Sequence, residues 1–139
     1  NEDNTASGIR FAHVARSARC TTNSKKRAYD LATGDTSLPN AVIVAVTSGF
    51  SMGIEQADGT LIDSGDENSF ADLFYAHVED WWNTRTLEIA QTLTLRLHPP
   101  ASCETASRTR EWLETHPNAH KGARRLMREL LDRTRGTPD

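Results

Sequence analysis

The hydrophobic pattern predicts two β-strands in the first half of the chain. Ala41–Thr47 is apolar and mostly β-branched, which is typical of a central strand covered on both faces. In Phe50–Gln56 apolar and polar positions alternate, and the pair Asp58-Gly59 follows as a strong turn signal. We therefore expect a buried strand followed by a hairpin at the edge of a sheet.

A third alternation of apolar and polar residues lies in Leu87–Leu97. Leucine or isoleucine occupies positions 87, 89, 93, 95 and 97, and Gln91 interrupts the period of two. That period favours a strand, although a helix continuing from Trp82 as far as Gln91 is a competing interpretation. Pro99 and Pro100 end the element in either case.

Other segments have the spacing of helices. An apolar stripe runs from Phe70 to Trp81, after acidic residues that suit the positive end of a helix. Ser24–Ala32 predicts a weaker helix with a serine cap, and Glu104–Glu114 predicts a short amphipathic helix. A final helix has its apolar stripe at Ala123, Leu126, Met127, Leu130 and Leu131.

These elements together predict an α+β fold, with a small mixed β-sheet, helices packed on it and a helical C-terminus. The chain has 139 residues, which we expect to form a single domain, residues 1–139. A chain of this length buries roughly two thirds of its unfolded surface. Within the domain we expect residues 1–7 to be disordered, residues 8–103 to form the sheet-containing core and residues 104–135 to form the C-terminal helices.

Composition indicates a soluble protein with an uneven distribution of charge. No apolar run approaches the roughly 20 residues of a membrane-spanning helix, so a membrane is not an expected partner. The first residue is Asn and not Met, which suggests either a piece excised from a larger secreted protein or a protein with a cytoplasmic site of action. The net charge is −3, and eight carboxylates between Glu55 and Asp80 stand without Lys or Arg. That stretch would repel phosphate unless a metal or the basic C-terminal region offsets it.

Two short motifs suggest a reaction. The tripeptide His77-Val78-Glu79 lies in a predicted helix, and the segment Pro99–Cys103 follows the third predicted strand. An imidazole can bind zinc, and zinc lowers the pKa of a bound water to about 7. A neighbouring carboxylate can then carry a proton from that water to a leaving amine. A thiolate at the start of a helix is stabilised by the positive end of the helix dipole.

With these motifs, Val44–Cys103 resembles the zinc-dependent cytidine and nucleobase deaminase superfamily, and within it the bacterial toxin-type deaminases. The resemblance implies that His77 and Cys103 bind zinc and that Glu79 is the catalytic proton shuttle. It also implies hydrolytic deamination of cytosine, with a nucleic acid or nucleotide as substrate and partner.

The motif departs from this family at Ala106, where the second cysteine of the family would stand. A third zinc ligand would then have to come from Cys20, His98 or Glu104. Cys20 and Cys103 can instead form a disulfide or remain free thiols. A structural histidine at position 77 is an equally good interpretation, since this residue falls on the apolar stripe of its helix.

Two other functions remain open from the sequence. The chain can be a catalytically inactive α+β module that holds a protein partner at Trp82 or at the acidic hairpin. It can also be a divalent-metal hydrolase or nuclease centred on Asp63, Asp66 and Glu67. Adjacent residues on a helix diverge, so we expect Trp81 in the core and Trp82 outside it.

Overall fold

The computed structural model describes residues 12–15, 21–34, 37–52, 54, 61–62, 64 and 68–135. Apart from a helical turn at residues 12–15, these residues form six helices: α1 Thr22–Gly34, α2 Asn40–Ser51, α3 Phe70–Thr84, α4 Leu87–Leu97, α5 Cys103–Thr115 and α6 Lys121–Arg135. None of the helices in this part of the chain is both long and apolar enough to cross a membrane.

The predicted α+β class is wrong, because the described residues form an all-α fold without a sheet. The apolar run Ala41–Thr47 belongs to α2, whose buried residues include Ile43, Val46, Thr47 and Phe50 at helical intervals. The hydroxyl of Thr47 donates to the carbonyl of Ile43 over 2.7 Å, one turn back. A run that is apolar on all sides fits a buried helix as well as a buried strand, and here it continues as a helix to Ser51.

The predicted hairpin begins inside this same helix. Phe50 and Ser51 are the last two residues of α2, so they cannot start a strand. Leu61 makes an isolated β-bridge, and the amide of Ile62 donates to the carbonyl of Ile54 over 2.8 Å. The turn expected at residues 58–59 lies outside the described residues.

The third predicted strand is helix α4. The hydroxyl of Thr86 caps this helix by accepting from the amide of Ile89 over 3.3 Å. Its buried residues follow a helical period: Ala90, Leu93, Thr94 and Leu97. Leu87 and Leu95 are 58% and 42% exposed, so the alternation arose from leucines that lie outside the core. The competing interpretation, a helix from Trp82 to Gln91, was closer to the structure. The helix is interrupted at residues 85 and 86, however, so α3 and α4 are separate.

The helical predictions agree with the structure better than the strand predictions do. α1 contains the weak helix predicted at Ser24–Ala32, and α3, α5 and α6 contain the other three predicted helices. The sheet-containing core predicted for residues 8–103 is wrong for the same reason as the fold class. Residues 1–7 lie outside the described residues.

Residues 1–70 form the first of two compact units. Helix α1 packs against α2, and their interface contains an aromatic cluster. The rings of Tyr29 and Phe50 are 5.8 Å apart at their centroids, and those of Phe50 and Phe70 are 5.0 Å apart, edge to face. Burial raises the pKa of Tyr29, with Asp30 adding to the effect.

A lysine is fully buried within this first unit. Lys25, on α1, donates from Nζ to the carbonyl of Gly49 over 2.9 Å and also to the carbonyl of Met52. The carbonyl of Gly49 also accepts from the amide of Met52, so this ammonium group adds to the hydrogen bonds that close the end of α2. A buried cation is stable only with such partners.

Residues 71–139 form the second unit, in which α6 packs against α4 and α5. Arg124 ties α6 to the end of α5, since its Nη1 donates to the carbonyls of Leu113 and His116, each over 2.7 Å. The buried apolar side of α6 consists of Ala123, Met127, Leu130 and Leu131.

Candidate functional site

The three residues predicted for zinc chemistry lie on two helices of the second unit. His77 is exposed on α3, and Glu79 is half-buried, with Oε1 3.9 Å from Nε2 of His116. Residues two positions apart on a helix diverge by about 200°. Cys103 is the first residue of α5 and is an exposed free thiol. In the part of the chain that the structure describes, no three His, Cys, Asp or Glu side chains are placed to hold a metal ion together.

The residues considered as additional ligands have different positions. His98 is hydrogen-bonded to Thr109, Glu104 is exposed in the first turn of α5, and Ala106 is half-buried on the same helix. Cys20 lies outside the described residues, as do the acidic residues of the predicted metal hydrolase, Asp63, Asp66 and Glu67.

A buried polar cluster joins α3, α5 and the end of α4. The hydroxyl of Thr109 lies 2.9 Å from the hydroxyl of Tyr75 and 3.0 Å from Nε2 of His98. Arg108 covers the Tyr75 ring, 4.7 Å from its centroid, and donates to Asp72 over 2.7 Å. Burial lowers the pKa of His98 to about 4, so its imidazole is neutral at pH 7. Burial also raises the pKa of Tyr75, against the opposing effects of Thr109 and Arg108.

A hydroxyl next to a neutral imidazole is also the arrangement of an activated nucleophile. Thr109 has no exposed surface, however, and its hydroxyl is occupied by both Tyr75 and His98. A substrate could therefore reach this oxygen only after the helices separated. The cluster is best understood as a hydrogen-bonded connection between helices.

An open groove lies between α4 and α6, which we name the α4–α6 groove. Its volume is about 350 Å³, within the range of roughly 300–1,000 Å³ that is usual for ligand pockets. Its wall combines the apolar side chains of Trp82, Leu95 and Leu126 with the polar side chains of Gln91, Arg125 and Glu129. The lining residues are Trp82, Gln91, Leu95, Gly122, Arg125, Leu126 and Glu129.

Trp82 is fixed in this wall by three contacts. Its indole Nε1 donates to Oγ1 of Thr94 over 2.8 Å, and this hydroxyl in turn donates to the carbonyl of Ala90. The ring centroids of His120 and Trp82 are 5.2 Å apart, with an angle of 39° between the ring planes. An added Cβ at Gly122 would stand 2.7 Å from Cζ3 of Trp82, so only glycine permits the close approach of this backbone to the indole.

The expectation that only Trp81 is buried is wrong. Trp81 and Trp82 are 4% and 6% exposed. Trp81 packs against Phe74 with 5.8 Å between ring centroids, whereas Trp82 turns toward α4 and α6. The two rings fit because α3 has neighbours on more than one side.

Only indirect signals of the groove are present in the sequence. The sequence predicts Trp82 outside the core and makes it one candidate for holding a protein partner, whereas in the structure it is buried in the wall of the groove. Leu126 belongs to the apolar stripe predicted for the final helix, which alone does not indicate a groove. The useful signal was the excess of leucines in α4, since its core face accounts for only some of them.

No protein-family model matches the chain. The chain is 34% identical over 130 residues to a protein described as aminopeptidase N of Streptomyces lividans. The aligned residues cover 91% of this chain and 14% of that protein, so the chain spans about one seventh of the length of the relative it matches.

Proposed function

We propose that the chain acts as a helical binding module of an aminopeptidase-type protein, and that its own side chains do not hydrolyse peptide bonds. The observation that carries this proposal is the identity of 34% to aminopeptidase N over nearly the whole chain. Because those residues make up 14% of that enzyme, the similarity concerns a segment and not its whole activity.

The side chains of the second unit support a binding role. The hydroxyl of Thr109 has no exposed surface and is hydrogen-bonded to both Tyr75 and Nε2 of His98. The α4–α6 groove is open and is lined by both apolar and polar side chains, as binding pockets commonly are. A module of this kind would hold a protein segment near the enzyme and leave the reaction to other parts.

A segment exchange tests the proposal. In aminopeptidase N of Streptomyces lividans, the aligned segment is replaced either by this chain or by a flexible glycine-serine linker. We expect the chimera with this chain to keep kcat/KM for an alanine anilide within about tenfold of the parent, a loss of about 1.4 kcal/mol. The linker variant should show a much larger loss of kcat/KM. Equal activity of the two variants, each soluble and helical by circular dichroism, would contradict the proposal.

The isolated chain provides the complementary measurement. We expect no release of nitroaniline from aminoacyl nitroanilides, with or without added zinc. The deaminase hypothesis stays a prediction, and metal analysis of the same preparation is its direct check. One zinc per chain that is lost in His77→Ala, together with deamination of cytosine, would contradict the binding-module proposal and support an enzyme.

A further inference from the structure

We infer that the α4–α6 groove binds an acidic helical segment of a protein partner, with a leucine-like side chain seated against Trp82. This goes beyond the proposed function, because it specifies the surface and the chemistry of what the surface holds. It depends on the shape of the groove, the exposed leucines beside it and the charge of α6.

The apolar part of the surface extends beyond the groove itself. Leu87, Gln91 and Leu95 are four residues apart on α4 and therefore lie on one side of it. Both leucines are substantially exposed, and the distance from 87 to 95 along the helix is roughly 12 Å, about two turns. A second helix with apolar residues at i and i+4, which are about 6 Å apart along the helix, fits within a surface of this length, as in other helix-in-groove complexes.

The charge of α6 defines the rest of the partner. The helix has six basic and two acidic side chains, a net charge of +4. Of these, Arg125 and Glu129 line the groove, and the first turn of the helix contains Lys121 and Arg124 but no acidic residue. The N-terminal end of a helix already carries a partial positive charge, so acidic residues are the ones usually favoured there. Arg124 is engaged with the end of α5, whereas Lys121 and Arg125 are exposed. An acidic partner is therefore complementary to this end of the groove.

Arg125 is positioned to respond to such a partner. Its side chain is 83% exposed and lies 3.5 Å from Glu129 in a surface ion pair. A pair of this type contributes little, about 0–1 kcal/mol. A carboxylate of the partner can therefore compete for the guanidinium without a large loss within the module.

The test uses a fluorescein-labelled helical peptide with leucines at i and i+4 and glutamates on both flanks. Its two controls replace the glutamates by lysines or the leucines by serines. We expect fluorescence polarisation to detect binding of the acidic leucine peptide only. In a heteronuclear NMR spectrum of the chain, the peptide should shift the indole N–H signal of Trp82, which a single Trp82→Phe variant assigns.

Two variants of the groove and two matched variants elsewhere locate the binding. Leu95→Ser should weaken binding at least about tenfold, because a leucine contact is lost. Arg125→Glu should weaken it several-fold and reduce its sensitivity to salt. Met52→Ser removes an equally exposed apolar side chain, and Arg110→Glu reverses an exposed charge on α5. Both should bind like the unsubstituted chain.

Several results would overturn the inference. The lysine peptide could bind as tightly as the acidic one, or all four variants could bind alike. Sedimentation could show a dimer that Leu95→Ser dissociates, which would assign the groove to a second copy. An oligonucleotide could bind in a manner weakened by Arg125→Glu but not by Leu95→Ser, which would assign the basic face of α6 to nucleic acid. Since Leu95 and Arg125 are exposed, loss of the fold is not the expected result of either change.

Discussion

Substitution of Gly122 by alanine tests the close contact that holds Trp82 in the groove. The added Cβ would stand 2.7 Å from Cζ3 of Trp82 and 3.2 Å from Nδ1 of His120. Trp82 is buried and hydrogen-bonded to Thr94, so its ring cannot move aside without loss of packing or of that bond. Overpacking of this kind costs about 1–3 kcal/mol.

Helix propensity acts in the opposite direction at the same residue. Alanine is favoured over glycine inside a helix by at most about 1 kcal/mol. The contact with Trp82 should outweigh this gain, so we expect Gly122→Ala to lower the free energy of unfolding by about 0.5–2 kcal/mol. A substitution that is usually stabilising thus becomes destabilising here.

Gly34→Ala is the matched control. Gly34 ends α1, its backbone is not in the left-handed region, and an added Cβ there meets no atom within 4 Å. The same chemical change is therefore free of a clash. We expect it to leave stability unchanged or to raise it by up to about 1 kcal/mol.

Denaturant unfolding measures both effects. Circular dichroism follows all helices, whereas tryptophan fluorescence reports on the second unit, because Trp81, Trp82 and Trp112 all lie between residues 71 and 139. The fluorescence midpoint should fall for Gly122→Ala and should stay constant or rise for Gly34→Ala. A midpoint for Gly122→Ala equal to or above that of the unsubstituted chain would refute the reasoning.

Three further predictions concern buried polar groups. Burial lowers the pKa of His98 from 6.5 to about 4, so the unfolded chain takes up the proton more readily than the folded chain. The free energy of unfolding should therefore fall by up to about 3 kcal/mol as the pH is lowered from 6.5 to about 4. In urea titrations, His98→Gln should flatten this pH dependence. Lys25→Met should lower the free energy of unfolding by about 1.5–3 kcal/mol for each charged hydrogen bond removed, which urea unfolding measures. The control Lys26→Met changes a surface residue and should shift the urea midpoint little. Arg124→Met should destabilise the second unit by an amount similar to that of Lys25→Met through its two carbonyl contacts, and Arg125→Met should not, which thermal unfolding can compare.

The sequence was sufficient for the amphipathic helices but not for the fold class. In α6 the apolar residues fall at intervals of three and four, and only a helix buries such a set together. In Ala41–Thr47 there is no polar face to define a period, so the local pattern is the same for both structures. The choice depends on packing against α1, which is a property of distant residues such as Lys25 and Tyr29.

The chemistry could be predicted even less well than the fold. His77 and Glu79 are close in sequence, but whether they share a site depends on which sides of α3 are covered. The resemblance to deaminases rested on the order of strands around this helix, and the described residues place helices in those positions. The buried pair of His98 and Thr109 gave no signal, since eleven positions separate the two residues and neither forms part of a known motif.

The incorrect prediction of a strand at Leu87–Leu97 and the proposal of a binding groove depend on the same exposed leucines of α4. A helix that only fills a core needs apolar residues on one side, and Ala90, Leu93 and Leu97 provide that side here. Leu87 and Leu95 are additional, and they are the residues that made the segment alternate like a strand. Departures from a consistent local pattern are expected where function, and not folding, selects the residue. Leu95 lies in the wall of the groove together with Trp82, and in the proposed complex the partner segment covers it.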